Sequence, residues 1–377
     1  MKGKQGLVCM GLLLVLSSCH TGKQITASGL QRKDFQTEVN GQHTDLFTLS
    51  NKQGMEVCIT NYGARVVSIL VPDRNGKRED VVCGFSTITE YMEQWQNFGS
   101  TVGRYIGRIL NARFTLDGVE YKLVPNNGKS GHISHGGNPG FADRIWKVEQ
   151  ADTHRVRLSY LSPDGENGFP GNLKVTLVYS LGEDDNALDL TYEATTDAPT
   201  VLNLSHHSFF NISGNFTKSV EDQQLWVDAD RFTPYDDKKC VTGEYLPVAG
   251  TPLDFRMPHT IGECIDADHP QLKVVNGYDH TWELNTKGDD TRPAAWVYDP
   301  ASGRKMEIFT TEPGMQIYTG NGLKGKMTGK GGIAYPFRSA VCFETMHFQD
   351  SPNQPGFPST VLRPGEVFRS HTVYKFE

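Results

Sequence analysis

Long apolar runs, helical periodicity, paired cysteines and surplus basic charge are all scarce in this chain of 377 residues. The formal net charge is −7, which argues against nucleic acid as the main partner, because a phosphate binder presents a basic surface. Past the N-terminus the cysteines are Cys58, Cys83, Cys240, Cys264 and Cys342. None belongs to a C-x-x-C pair, so a zinc ribbon or a thioredoxin-type motif is not expected. Their odd number leaves at least one thiol without an intrachain partner, and most read as small core residues. Gly128-Lys129-Ser130 imitates the end of a phosphate loop, but the position that needs the leading glycine holds Leu123. No H-E-x-x-H run occurs. Repeats, heptads and low-complexity linkers are missing too, so a single domain is expected from about residue 35 to 377.

The one apolar run, Leu7 to Leu16, is too short for a membrane span. Lys2 and Lys4 precede it, and Ser17, Ser18 and Cys19 close it. That layout predicts a secretory signal peptide over residues 1–19. The ending L-S-S-C resembles the bacterial lipobox, which implies lipid attachment at Cys19. Residues 20–34 then read as a polar tether from membrane to domain. The expected protein is an exported, membrane-anchored lipoprotein of the cell envelope, on the periplasmic side.

What the chain does have is two-residue alternation and turns, with 39 glycines to make them. Leu173, Val175, Leu177, Tyr179 and Leu181 would share one face of a half-buried strand. Val156 to Tyr160 and Leu188 to Tyr192 follow the same rule. Asp117-Gly118 sits between two strand-like arms from Phe114 to Leu123, a strong hairpin signal. Trp296 to Tyr298 and Lys305 to Phe309 read as a second hairpin with a longer loop. One short helix is expected over Thr87 to Gln96, capped by Thr87 or Thr89. Many strands at short spacing mean an all-β sandwich or barrel.

His206 and His207 stand together in the strand-like stretch N-L-S-H-H-S-F-F-N. On a regular strand adjacent residues face opposite ways, so the two cannot easily share a metal ion. Taken alone, each is either a hydrogen-bonded structural group or a proton-transfer catalyst. Other polar residues gather at strand ends: Arg104 and Arg108 among glycines, His135 before Gly136-Gly137, Asp279 after an apolar run, and Gln316. The two glycines after His135 would let a ligand approach the backbone closely. Glu344 lies in the apolar strand V-C-F-E-T, where an unpaired buried carboxylate is costly.

The stretches G-R-Y-I-G-R-I, S-H-G-G, N-L-S-H-H-S-F-F-N, N-G-Y-D-H, Q-I-Y-T-G-N and F-E-T-M-H-F-Q-D-S-P-N-Q-P-G-F-P-S-T-V-L-R-P-G-E occur in this order. Together they resemble the signatures of the aldose 1-epimerase (galactose mutarotase) family, from about residue 35 onward. The resemblance implies a β-supersandwich, with large antiparallel sheets and an open sugar-binding cleft. It implies interconversion of the α and β anomers of free hexoses such as glucose and galactose, with no cofactor and no metal. Glu344 looks like the general base and His207 like the general acid, while Arg108, His135, Asp279 and Gln316 match positions that hold the sugar. His206 should then turn away from the cleft.

Ring opening explains these residue types. A base takes the proton of the C1 hydroxyl while an acid protonates the ring oxygen, the aldehyde turns, and the same groups close the ring. Glutamate at its reference pKa of about 4.3 is a ready base, and a histidine near 6.5 charges if a carboxylate stands by. Asp279 is the expected source of that charge. The family pattern A-N-R-I reads I-G-R-I here, with Gly107 for asparagine, so one amide toward the sugar is missing. The asparagine often found before the acid is His206. Three alternatives remain: a sugar-phosphate 1-epimerase using Arg104 and Arg108, a non-catalytic carbohydrate-binding lipoprotein, and a glycosidase using Glu344 and Asp279.

Overall fold

The computed structural model describes residues 24–94 and 96–377. The expected signal peptide, the lipid-bearing Cys19 and residues 20–23 of the expected tether lie outside them.

Alternation becomes strand as expected. Along Leu173–Leu181 the five apolar residues are buried and the residues between them are not. Asp117 and Gly118 take positive φ and close a hairpin between Arg113–Leu116 and Val119–Lys122. Ala295–Tyr298 and Lys305–Thr310 form the second hairpin. Thr87 caps a helix with a reciprocal Glu90 contact, but that helix covers only Ile88–Glu93. A second short helix, Pro270–Val275, was not legible. Six residues give too little periodicity to detect.

Among the described residues the strands assemble into antiparallel sheets of nine, six and four strands, with small two-stranded pieces. The nine-stranded sheet centres on Leu173–Leu181, Ala187–Thr196 and Phe368–Phe376. The six-stranded sheet runs Phe209–Phe210, Val341–Met346, Gly314–Tyr318, Asp279–Glu283, Arg231–Thr233 and Leu246–Pro247. The four-stranded sheet runs from Leu46–Ser50 to Arg78–Asp80. Leu177 and Leu190 of the first, Phe343 and Ile317 of the second, and Val57 and Ile69 of the third share one apolar cluster. This is the expected all-β supersandwich.

The N-terminal boundary needs a correction. Residues 24–34, expected as tether, pack on the domain. Leu30 is buried in the cluster that holds Phe35. The Ala27 amide donates to Glu56 Oε1 at 2.6 Å, and Arg32 pairs with Asp45. Isolated apolar residues in a polar stretch have no periodicity to announce them.

On the outside of the nine-stranded sheet, His371 lies between two carboxylates, 2.7 Å from Asp290 and 3.0 Å from Asp189. Those bonds outweigh partial burial and push its pKa up to about 9. The folded value exceeds the unfolded one, so the stabilisation is complete below about pH 6.5, declines as pH rises and is lost above about 9. Discounted for exposure, it amounts to roughly 1–2 kcal/mol. His371→Gln should therefore lower the urea-unfolding free energy by that much at pH 6 and hardly at all at pH 9.5. An equal loss at both pH values would reject the linkage.

Candidate active site

The cleft is built on the face of the six-stranded sheet turned away from the main core. In Val341–Met346, Val341 and Phe343 point into the main core, so alternation turns Glu344 the other way. In Gly314–Tyr318, Met315 and Ile317 are core residues, leaving Gln316 and Tyr318 beside Glu344. Register sets Gln316 directly opposite both Glu344 and Thr281, and Asp279 shares the face of Thr281. Three neighbouring strands thus present Glu344, Gln316 and Asp279 as one polar row.

His207 comes from the short strand Ser205–His207, paired with Ser100–Val102. Arg108 comes from another two-stranded piece, Arg108–Ile109 with Ile133–Ser134, in which it lies opposite Ser134, and His135 directly follows the second strand. All six residues expected at the site, His207, Glu344, Arg108, His135, Asp279 and Gln316, line one cavity of about 250 Å³. Cleft residues that the sequence reading did not single out include Asn97, Phe209, Tyr318, Met346 and Gln349.

His207 Nε2 and Glu344 Oε1 are 3.3 Å apart, and both side chains are almost fully buried. His207 Nδ1 is buried with no hydrogen-bond partner among the described residues, so Nε2 is its proton-exchanging nitrogen. Phe209 stacks on the imidazole at 5.1 Å, and the His135 ring meets it edge-on at 5.6 Å.

The expected charge states need correcting. Burial, aided by the negative charge of Asp279, holds the Glu344 carboxyl well above its ordinary range. Burial, with His135, His206 and Arg65 nearby, pushes His207 well below its own. The carboxylate beside His207 is Glu344 and not Asp279. Asp279 accepts a 2.7 Å hydrogen bond from Gln316 Nε2 and feels the charge of Arg108, while burial raises its pKa. An imidazole and a carboxyl this close, each resisting a lone charge, hold one proton between them. Such a pair contains one acid and one base wherever the proton sits.

His135 is pushed down to about 4 by burial and by Arg108, so it is neutral near pH 7. The Gly107 N–H donates to its Nδ1 at 3.4 Å, which leaves Nε2–H free to donate. Its glycines serve a different purpose from the expected one. A Cβ at Gly136 would collide with the backbone of Gly103 and Arg104, so the close approach there is of chain to chain, not of ligand to chain.

His206 faces away from the cleft. Its Nε2 is 2.7 Å from Ser208 Oγ, and its ring packs against Tyr179 and Tyr374. Burial lowers its pKa to about 3, so it is a neutral structural histidine. Arg104 is equally structural. It is 2 % exposed and donates to the carbonyls of Pro170, Gly171, Ser162 and Pro163. Arg108 is therefore the one arginine or lysine among the cavity residues.

His207, Cys342 and Glu344 are the one group of metal-capable side chains found among the described residues, with ligand atoms within 4.8 Å. Cys342 is fully buried in an apolar cluster and is not part of the cavity lining. The five described cysteines are all free thiols.

A β-sandwich whose cleft holds a buried imidazole–carboxyl pair among polar, ring-sized walls defines an acid–base enzyme for a small polar ligand. Comparison with known proteins makes this specific. The aldose 1-epimerase family model matches residues 45–375, and the chain belongs to that family. Galactose mutarotase of Sus scrofa is 39% identical over 330 residues, covering 88% of this chain and 93% of its own. Aldose 1-epimerase of Escherichia coli (strain K12) is 36% identical, covering 89% and 96%. Among solved structures, an aldose epimerase homologue from C. elegans superposes with a TM-score of 0.81 at 31% identity, covering 89% of this chain and 99% of its own. Galactose 1-epimerase of Lactobacillus acidophilus NCFM gives 0.78 at 28% identity, covering 90% and 96%.

Proposed function

We propose that this chain interconverts the α and β anomers of free hexoses such as glucose and galactose. The observation that carries the reading is the 3.3 Å His207–Glu344 pair inside a polar cavity. One member takes the C1 hydroxyl proton while the other gives its proton to the ring oxygen. The C1–O5 bond breaks, the aldehyde turns about C1–C2, and the reverse transfers close the ring on either face. With one proton shared, the pair leaves each opening still able to perform the closing. Neutral His135 donates from Nε2 to a sugar oxygen. Arg108 and Asp279 orient hydroxyls from the two sides, with Gln316 steadying Asp279.

A sugar phosphate would ask for a cluster of cations, and the cavity offers Arg108 alone. A non-catalytic binder has no use for a buried pair whose desolvation is costly. Polarimetry of fresh α-glucose and α-galactose tests the reading. The purified protein should speed the approach to the equilibrium rotation for at least one of them, and no acceleration with any common aldose would sink it.

We further propose that the protein is exported and held to the cell envelope by a lipid on Cys19. The charged start, short apolar run and L-S-S-C ending support this. No helix among the described residues is long and apolar enough to cross a membrane. Incorporation of a labelled lipid precursor that disappears in Cys19→Ala is the expected result. No incorporation, or unchanged processing of the variant, would mean ordinary secretion.

A further inference from the structure

Gly107 and Gln349 occupy one space. Gly107 lines the cleft at a φ of +76°, and a Cβ there would stand 2.5 Å from Gln349 Cγ and 3.0 Å from Gln349 Cδ. The glutamine side chain fills the volume that any other residue at position 107 would claim. With Gln349 so placed, position 107 has room for glycine alone.

The orientation of the Gln349 amide follows from its partners. The backbone N–H of Arg108 donates to Oε1 at 3.2 Å. A backbone N–H can only donate, so the oxygen lies on that side. Nε2 then donates to the Tyr235 hydroxyl at 2.7 Å and to Gln316 Oε1 at 3.3 Å. Both amide hydrogens are engaged. The oxygen has accepted one hydrogen bond and has one lone pair left. Gln349 is only 5% exposed, and it lies on the wall of the cavity that also holds Arg108, Gln316 and Asp279.

We propose that Gln349 positions the sugar, its Oε1 accepting a hydrogen bond from a ring hydroxyl of the aldose, and that Gly107 is the vacancy which admits it. The amide missing at position 107 is thereby supplied from another segment, the turn after the strand that carries Glu344. This rests on the epimerase reading and adds to it a specificity-determining acceptor. An acceptor aimed at one hydroxyl discriminates among aldoses that differ at that position.

The test separates positioning from chemistry. Gln349→Leu should raise KM for the preferred aldose about tenfold, while kcat falls less than about threefold, the mark of lost uniform binding. Gly107→Asn alone should also raise KM, because its side chain displaces Gln349. In the Gln349→Ala background the same Gly107→Asn should bring KM back to within about threefold of wild type, since asparagine tolerates positive φ and returns an amide. An unchanged KM in Gln349→Leu for every aldose tried would overturn the proposal, as would an equal effect of Gly107→Asn in both backgrounds. Should the wild type turn over no aldose, the epimerase reading fails on its own. Calorimetric titration with galactose and glucose then decides here: weaker binding by Gln349→Leu supports the acceptor, and equal or undetectable binding to both proteins rejects it.

Discussion

Glu344→Gln should lower kcat about 10³-fold while KM stays within about threefold, because general acid–base catalysis is worth roughly 10²–10⁴. Glutamine keeps the volume and the buried position, so the cleft should remain intact. It cannot take or give a proton, so the pair with His207 is reduced to one working member. His207→Asn should act with similar size. The double variant should be scarcely worse than either alone, since two groups passing one proton act as a unit. The pH profile of kcat/KM follows from the same pair. With two protons bound no base remains, and with none bound no acid remains, so the profile should be bell-shaped. Each single variant should lose that bell. Full activity of Glu344→Gln, or an intact bell in it, would reject the shared-proton mechanism.

Arg104→Lys is expected to produce the largest loss of stability, roughly 3 kcal/mol, without changing KM per folded molecule. The guanidinium donates through Nη1 to Pro170, Gly171 and Thr200 Oγ1, and through Nη2 to Ser162 and Pro163. Its face also lies over the Phe169 ring at 5.7 Å. A lysine ammonium has three donors on a tetrahedral head and cannot reach this planar set of acceptors. Buried carbonyls would lose their donors, and each unmet group is costly. Denaturant unfolding monitored by tryptophan fluorescence reads the effect. A raised KM with unchanged stability would make Arg104 a substrate contact instead.

Arg104 and Arg108 cannot be told apart from local pattern. Arg104 and Arg108 lie four positions apart in one glycine-rich stretch, and both looked available to a ligand. Only the folded chain separates them, sending one into the interior and the other into the cleft. The strands themselves were legible, because alternation in Leu173–Leu181 is a local property. The opposite facing of His206 and His207 was legible for the same reason. Register was not, and register is what sets Gln316 across from Glu344. The charge states are not legible in the sequence, because reference values describe solvated groups, whereas burial dominates both Glu344 and His207. Tyr235 was invisible because it reaches Gln316 and Gln349 from a loop with no pattern of its own. Gln349 stands within the stretch F-E-T-M-H-F-Q-D, yet nothing local marks it as filling the space beside Gly107.

The polar row on the six-stranded sheet gives the cleft two mechanically different walls. Glu344, Gln316 and Asp279 hang from three strands joined by continuous ladders, and their backbone amides should exchange with deuterium only on global opening. Across from them, Arg108 leans on the carbonyl of Lys239, in the turn between Tyr235 and Val241. That turn can open locally while the sheet stays closed. The sheet wall is stiff and holds Glu344 in place against His207; the turn beside Arg108 can be reshaped without disturbing that pair. Changes in sugar preference therefore have somewhere to accumulate at little cost to the reaction.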